Sequence, residues 1–384
     1  MLKAYKYRLY PNREQVVLMS KHFGCCRWVY NWALAKKIET WQTEKRSVSR
    51  YELDANLPKF KDNPETEWLS EVNSQSLQQE LVSLEKAYTR FFREKNGFPR
   101  FKSKKNRQRF QVPQRASVSF EDGTLSLPKF SSINAIFSRK FDGKIKTVTV
   151  SRDPSGKHYA SILVESGVDV EPTQSLSKEE TVGIDLGLKD FATLSTGEKI
   201  DNPRFLKKSL TKLVREQRRL SRKQKGSNNR KKQRVKLAQA HEKVRFQRQD
   251  FLHKLSTRII RENQAVALET LNVKGMVKNR SLARSISDVG WGEFVRQLEY
   301  KAAWYGKTIL KIGMFEPSSR LCTCGIINRD LKLSDREWTC QQCGAIHDRD
   351  VLAANNIKQM ALSQIRWDTP ESTLVESGRS NGAQ

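Results

Sequence analysis

Thr181-Val-Gly-Ile-Asp-Leu-Gly-Leu-Lys189 places an acid, Asp185, at the end of a short apolar run that reads as a β-strand. Two distant stretches repeat the theme: Ala265-Val-Ala-Leu-Glu-Thr-Leu-Asn272 carries Glu269, and His347-Asp-Arg-Asp-Val-Leu-Ala-Ala354 carries Asp350. A carboxylate at the end of an apolar strand costs burial energy unless a cation neutralises it. Several brought together repel unless divalent metal lies between them. A fold that gathers one acid from a first strand, one from a later strand and one from a following helix could hold two ions about 3.5–4 Å apart, the spacing used in phosphodiester hydrolysis. The pattern predicts a metal-dependent nuclease with Asp185, Glu269 and Asp350 as ligands. Each acid also has a plainer reading. Asp185 could close a strand at a turn, Glu269 could cap or pair locally, and Asp350 could cap a helix over 351–361, with Asp348 competing for its role. Gly183 and Gly187 flank Asp185, as expected where the backbone turns tightly and approaches substrate.

The rest of the chain supplies a matching charge. Its 384 residues can hold two or three domains, and 71 Lys+Arg against 42 Asp+Glu leave a net charge of +29. That excess points to a polyanion, with nucleic acid as the default partner, because neutralised phosphates release counterions. An anionic membrane surface is the rival, but no apolar run approaches the roughly 18–20 residues of a span, and the first residues lack a signal-peptide layout. A cytoplasmic protein without membrane contact is expected. Residues 204–250 hold 18 Lys and Arg against Glu216, Glu242 and Asp250. Leu206, Leu210, Leu213, Val214 and Leu220 keep a helical stripe there, which predicts two helices broken near 226–229. A solvated face would mix signs, whereas this arm is almost purely cationic, so it reads as a nucleic-acid surface. Its candidate contacts are Lys207, Lys208, Arg215, Arg218, Arg219 and Arg222, then Lys223, Lys225, Arg230, Lys231 and Lys232. Arg100, Lys102 and Lys104 join them from an earlier basic stretch.

Further organisation follows from periodicity. Residues 2–11 alternate as one half-buried strand, and helical spacing runs over 13–43 and 74–94 with a breaker-rich connection at 57–64. Short β-like segments near 110–112, 118–120, 124–127, 144–150 and 159–164 predict a small barrel or sheet, which the N-terminal strand is expected to join. Residues 171–180 read as a linker, and the tail at 369–384 as disordered. Trp28, Tyr30 and Trp32 lie at helical spacing and read as core more readily than as base-stacking residues.

Cys25 and Cys26 are adjacent, as suits buried thiols, whereas Cys322, Cys324, Cys340 and Cys343 cluster. Four thiolates around Zn²⁺ could close a ribbon with too little core to fold alone, with a hairpin expected at 326–339. The first pair is C-x-C, a tighter bite than the usual C-x-x-C of the second. The plainer reading is a metal-free loop with inert thiols, and His347 is a nearby substitute ligand, disfavoured because it adjoins the acidic motif.

Gly183-Ile-Asp-Leu-Gly, Leu268-Glu-Thr-Leu-Asn-Val-Lys-Gly-Met276, Pro317-Ser-Ser, the cysteine cluster and Asp348-Arg-Asp-Val-Leu-Ala-Ala-Asn-Asn-Ile357 together resemble the TnpB family, the OrfB-type proteins of insertion sequences related to type V CRISPR effectors. Gly24-Cys-Cys-Arg-Trp-Val-Tyr-Asn-Trp-Ala-Leu34 and Gly97-Phe-Pro-Arg-Phe-Lys-Ser-Lys104 extend the resemblance over nearly the whole chain. It implies a multidomain α+β and α/β protein: an OB-like β-barrel (wedge) at 1–11 and 97–178 with a helical recognition insert at 12–96, then an RNase H-like (RuvC) domain at 179–313 and 347–368 with an inserted zinc ribbon at 314–346. It also implies an RNA-guided DNA endonuclease using two Mg²⁺ ions at Asp185, Glu269 and Asp350. Its partners would be a noncoding guide RNA from the transposon end and double-stranded target DNA, recognised beside a short adjacent motif. A monomer or weak homo-oligomer is expected. The chain departs from the family at its shortened first cysteine pair and at Thr270, where many relatives have an acid. A nuclease-silent guided repressor and an accessory transposase are the alternative readings.

Overall fold

A computed structural model describes residues 1–167, 176–314, 316–332 and 334–365. Two units are distinguished, Met1–Val168 and Asp169–Gln384. The expected linker at 171–180 adjoins that boundary, and its first five residues lie outside the described residues, as does the tail at 369–384. No helix among the described residues is long and apolar enough to cross a membrane.

The first unit opens with β1 (Leu2–Tyr10) and the 32-residue α1 (Arg13–Glu44). Asn12 starts the helix through a capping box: its side chain accepts from the Gln15 N–H at 2.8 Å, and the Gln15 side chain accepts from the Asn12 N–H at 2.9 Å. Short helices α2 (Arg50–Asp54) and α3 (Asn56–Asp62) lead through a 3₁₀ turn to α4 (Ser74–Arg93). Six strands follow: β2 (Gln108–Val112), β3 (Ser117–Ser119), β4 (Thr124–Ser126), β5 (Ile133–Ile136), β6 (Lys144–Arg152) and β7 (His158–Glu165). All seven form one antiparallel sheet in the order β2-β6-β7-β1-β5-β4-β3. The N-terminal strand joins the later ones as expected, pairing with β7 from Leu2↔Glu165 to Leu9↔His158 and with β5 on its other edge. One core unites Phe110, Val148 and Ile162 of the sheet with Phe23 and Val29 of α1 and Leu81 of α4. Cys25 and Cys26 are buried in it as thiols. Trp28 and Trp32 are partly buried against that core, stacked on each other and edged by Phe60.

The second unit contains β8 (Thr181–Asp185), β9 (Asp190–Leu194), β10 (Lys199–Asp201), α5 (Phe205–Ser221), α6 (Asn228–Glu262), β11 (Ala265–Glu269), α7 (Val273–Met276), α8 (Ala283–Val289), α9 (Trp291–Tyr305), β12 (Thr308–Ile312), β13 (Glu337–Thr339), β14 (Ile346–Asp348) and α10 (Arg349–Ser363). Its five-stranded sheet has the order β10-β9-β8-β11-β12, with β8, β11 and β12 parallel and the other two antiparallel. Side chains alternate across it. Val182, Ile184, Val266 and Leu268 face a core with Leu252, Ile259, Phe294 and Leu298 of α6 and α9. The opposite face offers Ala265 and Ala267, packed with Ile357, Ala361 and Leu362 of α10.

Gly183 stands opposite Ala267 in the β8–β11 register, so the face under α10 is made of very small residues. A Cβ at Gly183 would collide with the Ala354 carbonyl oxygen and lie 2.9 Å from the Lys358 nitrogen. The glycine thus serves helix packing, whereas the sequence reading gave it a role in substrate approach. Gly187 does serve a tight turn, since a Cβ there would lie 2.9 Å from the Asp190 carbonyl oxygen.

The β-hairpin expected at 326–339 is not what forms. β13 pairs instead with β14 across the second cysteine pair, and Leu321 bridges Ile327 around the first. The turn residues lie between the members of each pair, so pairing follows the cysteines.

Gly183→Ala is expected to destabilise the second unit by about 1–3 kcal/mol, because the packed helix must retreat. Gly292→Ala in α9, where a Cβ meets nothing, is expected to be neutral or to gain up to about 1 kcal/mol. Urea unfolding of both variants measures the contrast.

Candidate functional site

Asp185 and Glu269 are the terminal residues of β8 and β11. These parallel neighbours are registered Ile184 against Leu268, so the next residue on each strand is an acid and both leave the same end of the sheet. Asp350 lies in the first turn of α10, one turn before the Ala354 carbonyl that rests on Gly183.

Electrostatics ties the three together. The Asp185 carboxyl is pushed up to about 7 by burial, then by the negative charges of Asp350 and Glu269. Arg349 and the Leu186 backbone N–H oppose this only in part. Burial also raises Glu269. One carboxyl that feels the other two in a poorly solvated place is an anionic site short of positive charge. Its donors are all carboxylate oxygens, the type a hard divalent cation such as Mg²⁺ prefers, but among the described residues the four cysteines are the group whose ligand atoms already lie close enough together to hold an ion.

The competition between Asp348 and Asp350 has a physical outcome. Helix α10 starts at Arg349, so Asp348 is its N-cap and Asp350 is not, which corrects the plainer reading of Asp350 as a cap. Asp348 accepts from the Asp350 and Val351 N–H groups at 3.1 and 3.0 Å and pairs with Lys199 at 2.6 Å. Among the described residues the Asp350 carboxylate keeps only a long 3.5 Å contact from Arg336.

The four cysteines form a compact cluster, with their sulfurs within 4.8 Å of one another. Cys322 lies 3.5 Å from Cys343, and Cys324 lies 3.7 Å from Cys340. A tetrahedron of thiolates about 2.3 Å from zinc has edges of about 3.8 Å, so the donors fit that metal. The short C-x-C pair is accommodated by a knuckle one residue shorter. Cys322 N–H donates to Ile326, where Cys340 N–H donates to Ala345, and Gly325 and Gly344 close the two turns at φ 89 and 69. The Cys322 thiol is pulled down to about 5 by the Cys324 backbone N–H and by His347, whose Nε2 lies 3.0 Å from its sulfur. His347 thus stands beside the Cys322 sulfur, while the group that could hold an ion is the four cysteines without it.

Ribbon and acid are continuous. β14 runs directly into α10, the Arg349 N–H donates to the Arg336 carbonyl at 2.8 Å, and Asn356 of α10 donates to Ser318 and Leu321 carbonyls at 2.7 Å. Leu352 of α10 packs with Cys322, Cys340 and Trp338.

Among the candidate nucleic-acid contacts, Lys207, Lys208, Arg215, Arg218, Arg222, Lys223, Lys225, Lys231 and Lys232 are exposed on the α5–α6 arm, held by a core of Leu213, Leu237 and Val244. Arg219 is exposed but pairs with Glu216 at 3.0 Å. Arg230 is committed to the arm itself, donating to the Leu220 and Lys223 carbonyls at 2.8 Å and so closing the turn between the helices. In the first unit Arg100 and Lys104 are exposed, while Lys102 bonds the buried Glu80 and lies over the Tyr30 ring.

A family profile described as "Probable transposase" (OrfB_IS605) matches residues 161–280, a "Helix-turn-helix domain" profile (HTH_OrfB_IS605) matches 1–46, and a "Cas12f1-like, TNB domain" profile matches 291–357. Residues 1–46 form a strand and one unbroken helix here. A "Putative RNA-guided DNA endonuclease" of Streptomyces pristinaespiralis is 44% identical over 94% of this chain and 90% of its own length. A protein of the same description from Escherichia coli K12 is 36% identical over 93% of this chain and 91% of its own. The fold resembles that of a chain in the cryo-EM structure of a Cas12f1-sgRNA-target DNA complex, with TM-score 0.57, 15% identity and coverage of 93% of this chain and 98% of that one.

Two measurements probe these sites. Because the folded Asp185 carboxyl titrates about 7, above the ordinary value near 3.9, its stabilising contribution is complete below pH 4 and is lost as pH rises through 7. Thermal melts in EDTA are therefore expected to show Asp185→Asn more stable than wild type at pH 8 and no more stable at pH 4, with Mg²⁺ raising only the wild-type melting temperature at pH 8. Elemental analysis of purified protein is expected to give one zinc per chain, lost in Cys340→Ser together with a lower melting temperature.

Proposed function

The chain belongs to the TnpB family, and from that membership we propose that it is an RNA-guided DNA endonuclease encoded by an insertion sequence. The observation that carries this reading is the acidic constellation: Asp185 and Glu269 end registered parallel strands at one end of the sheet, and α10, packed on Gly183, carries Asp350 in its first turn. In this reading residues 179–313 and 347–368 are a RuvC-like nuclease, which the strand order β10-β9-β8-β11-β12 supports, and 314–346 are its zinc ribbon. The sheet of 1–11 and 97–178 is the OB-like wedge, and 12–96 its helical insert.

Asp185, Glu269 and Asp350 would hold two Mg²⁺ ions, and Cys322, Cys324, Cys340 and Cys343 a zinc. Bound there, Mg²⁺ supplies a Lewis acid for the scissile phosphate and a more acidic water as nucleophile. The residues' own task is to present ionised oxygens at a fixed place: the sheet register fixes two of them, and the Asp348 cap fixes the first turn of α10 that carries the third. Exposed cations of the α5–α6 arm, with Arg100 and Lys104, bind phosphates without reading sequence. A guide RNA from the transposon end pairs with target DNA, and the protein checks a short adjacent motif. The protein acts in the cytoplasm as a monomer or weak homo-oligomer.

Purified with its co-expressed RNA and given Mg²⁺ and a randomised plasmid library, the protein is expected to cut plasmids that share one motif beside the guide match. Asp185→Ala should reduce cutting at least about 100-fold, since loss of mere outer-shell support costs about 10–100-fold. RNA and DNA affinity should persist. Binding without cutting by the wild type would favour the repressor reading, and loss of RNA binding in Asp185→Ala would undo the assignment of roles.

A further inference from the structure

A cleft of about 510 Å³ lies in the second unit between the β8–β9 loop, the segment after β10, the start of α5 and α8. Four cations line it: Lys189, Arg204, Lys207 and Arg284. No side-chain hydrogen bond or ion pair engages any of the four among the described residues. The one acid in the lining, Asp288, is already committed. Its carboxylate accepts from the Leu206 N–H at 3.1 Å, capping α5 from outside, and from Arg248 at 2.8 Å. The cleft therefore carries four positive charges that the protein does not answer, above a floor of leucine and valine.

Its position follows from the sheet. β8 ends at Asp185, and the chain reaches Lys189 four residues later before turning back into β9. Asp190, the first residue of β9, pairs with Asp201, the last of β10, and the Asn202 side chain donates to the Leu188 carbonyl at 2.8 Å. Lys189 and Arg204 are thus held at the end of the sheet that bears the carboxylates. Arg204 is fixed there in left-handed backbone at φ 47, a conformation costly for a residue with a Cβ and common where a side chain is aimed for a purpose. The Asn202 side chain accepts from its N–H at 3.1 Å.

We propose that this cleft grips the sugar-phosphate backbone of the DNA strand led to the carboxylates, with Lys189, Arg204, Lys207 and Arg284 as phosphate contacts. Which strand it serves rests on the nuclease reading; the binding itself does not. Cations at the same end of the sheet as the acids allow a polyanion to approach a site that would otherwise repel it.

The test uses the full chain loaded with its RNA, in EDTA so that nothing is cut, and a fluorescent DNA strand complementary to the guide and extended at both ends. Neutral methylphosphonates placed one at a time map the phosphates that matter. Lys189→Ala/Arg284→Ala is expected to lower the magnitude of the salt slope by about 1.4, at about 0.7 per single-strand phosphate. In the same variant, interference should vanish at a short run of phosphates and persist elsewhere, and Lys189→Arg/Arg284→Lys should restore both readouts. An interference map identical in wild type and the double alanine variant overturns the proposal. Because binding is read without metal, a protein that shows the predicted map and yet never cuts in Mg²⁺ upholds the cleft and removes the nuclease reading.

Discussion

The close approach of α10 to β8 and β11 is the constraint on which the second unit turns. It requires a face without bulk, and the chain supplies Gly183, Ala265 and Ala267 at adjacent registered positions. The same approach carries Asp350 to within electrostatic reach of Asp185, so the packing that stabilises the sheet also assembles mutually repelling charges. A protein under no functional demand would relieve that repulsion with a lysine or an amide. Here the neighbouring cations relieve it only in part: Arg349 acts on Asp185 without cancelling the shift, Arg336 makes a long contact to Asp350, and Lys199 pairs with Asp348.

Charge is segregated elsewhere too. In the α5–α6 arm the two buried acids are internal fittings: Glu216 accepts from Gln233 at 2.7 Å and pairs with Arg219, and Glu242 faces Arg245. Their burial turns the arm's outer surface almost wholly cationic, which a simple count of charges understates. The opposite holds for Arg230 and Lys102, which count as basic in sequence but close a turn or compensate a buried glutamate. Net charge predicts the kind of partner, while hydrogen-bond bookkeeping decides which cations remain to meet it.

Much of this was legible beforehand, and the reasons differ by element. Long periodic segments such as α1 and α4, and the joining of β1 to the later strands, follow from hydrophobic spacing because one face is buried. The acids at the ends of β8 and β11 stand out because an apolar strand rarely ends in a charge without cause. What escaped notice was short or set by partners far away. β5 offers only four residues of alternation, β10 only three, and α7 and α8 only four and seven residues. The place of Gly183 under a helix arriving from residue 354, and the bond between His347 and Cys322, exist only in three dimensions.

The cysteine ribbon explains an ordering that the sequence leaves arbitrary. It is inserted between β12 and α10, so the last element before the Asp350 helix is a ribbon strand, not a free loop. On its sheet side α10 is located by the small-residue face. On its ribbon side it is located by the β14 connection, by Asn356 on the Ser318 and Leu321 carbonyls, and by Leu352 among the cysteines. Two independent fixings at opposite flanks of one short helix restrict both its rotation and its slide. A carboxylate in the first turn needs both, because fraying is greatest there and because repulsion from Asp185 pushes it outward. The shortened knuckle is compatible with this: it keeps the sulfurs at tetrahedral spacing and leaves the strand leading to Asp350 unchanged, so one residue can be lost from the first pair without moving the acid.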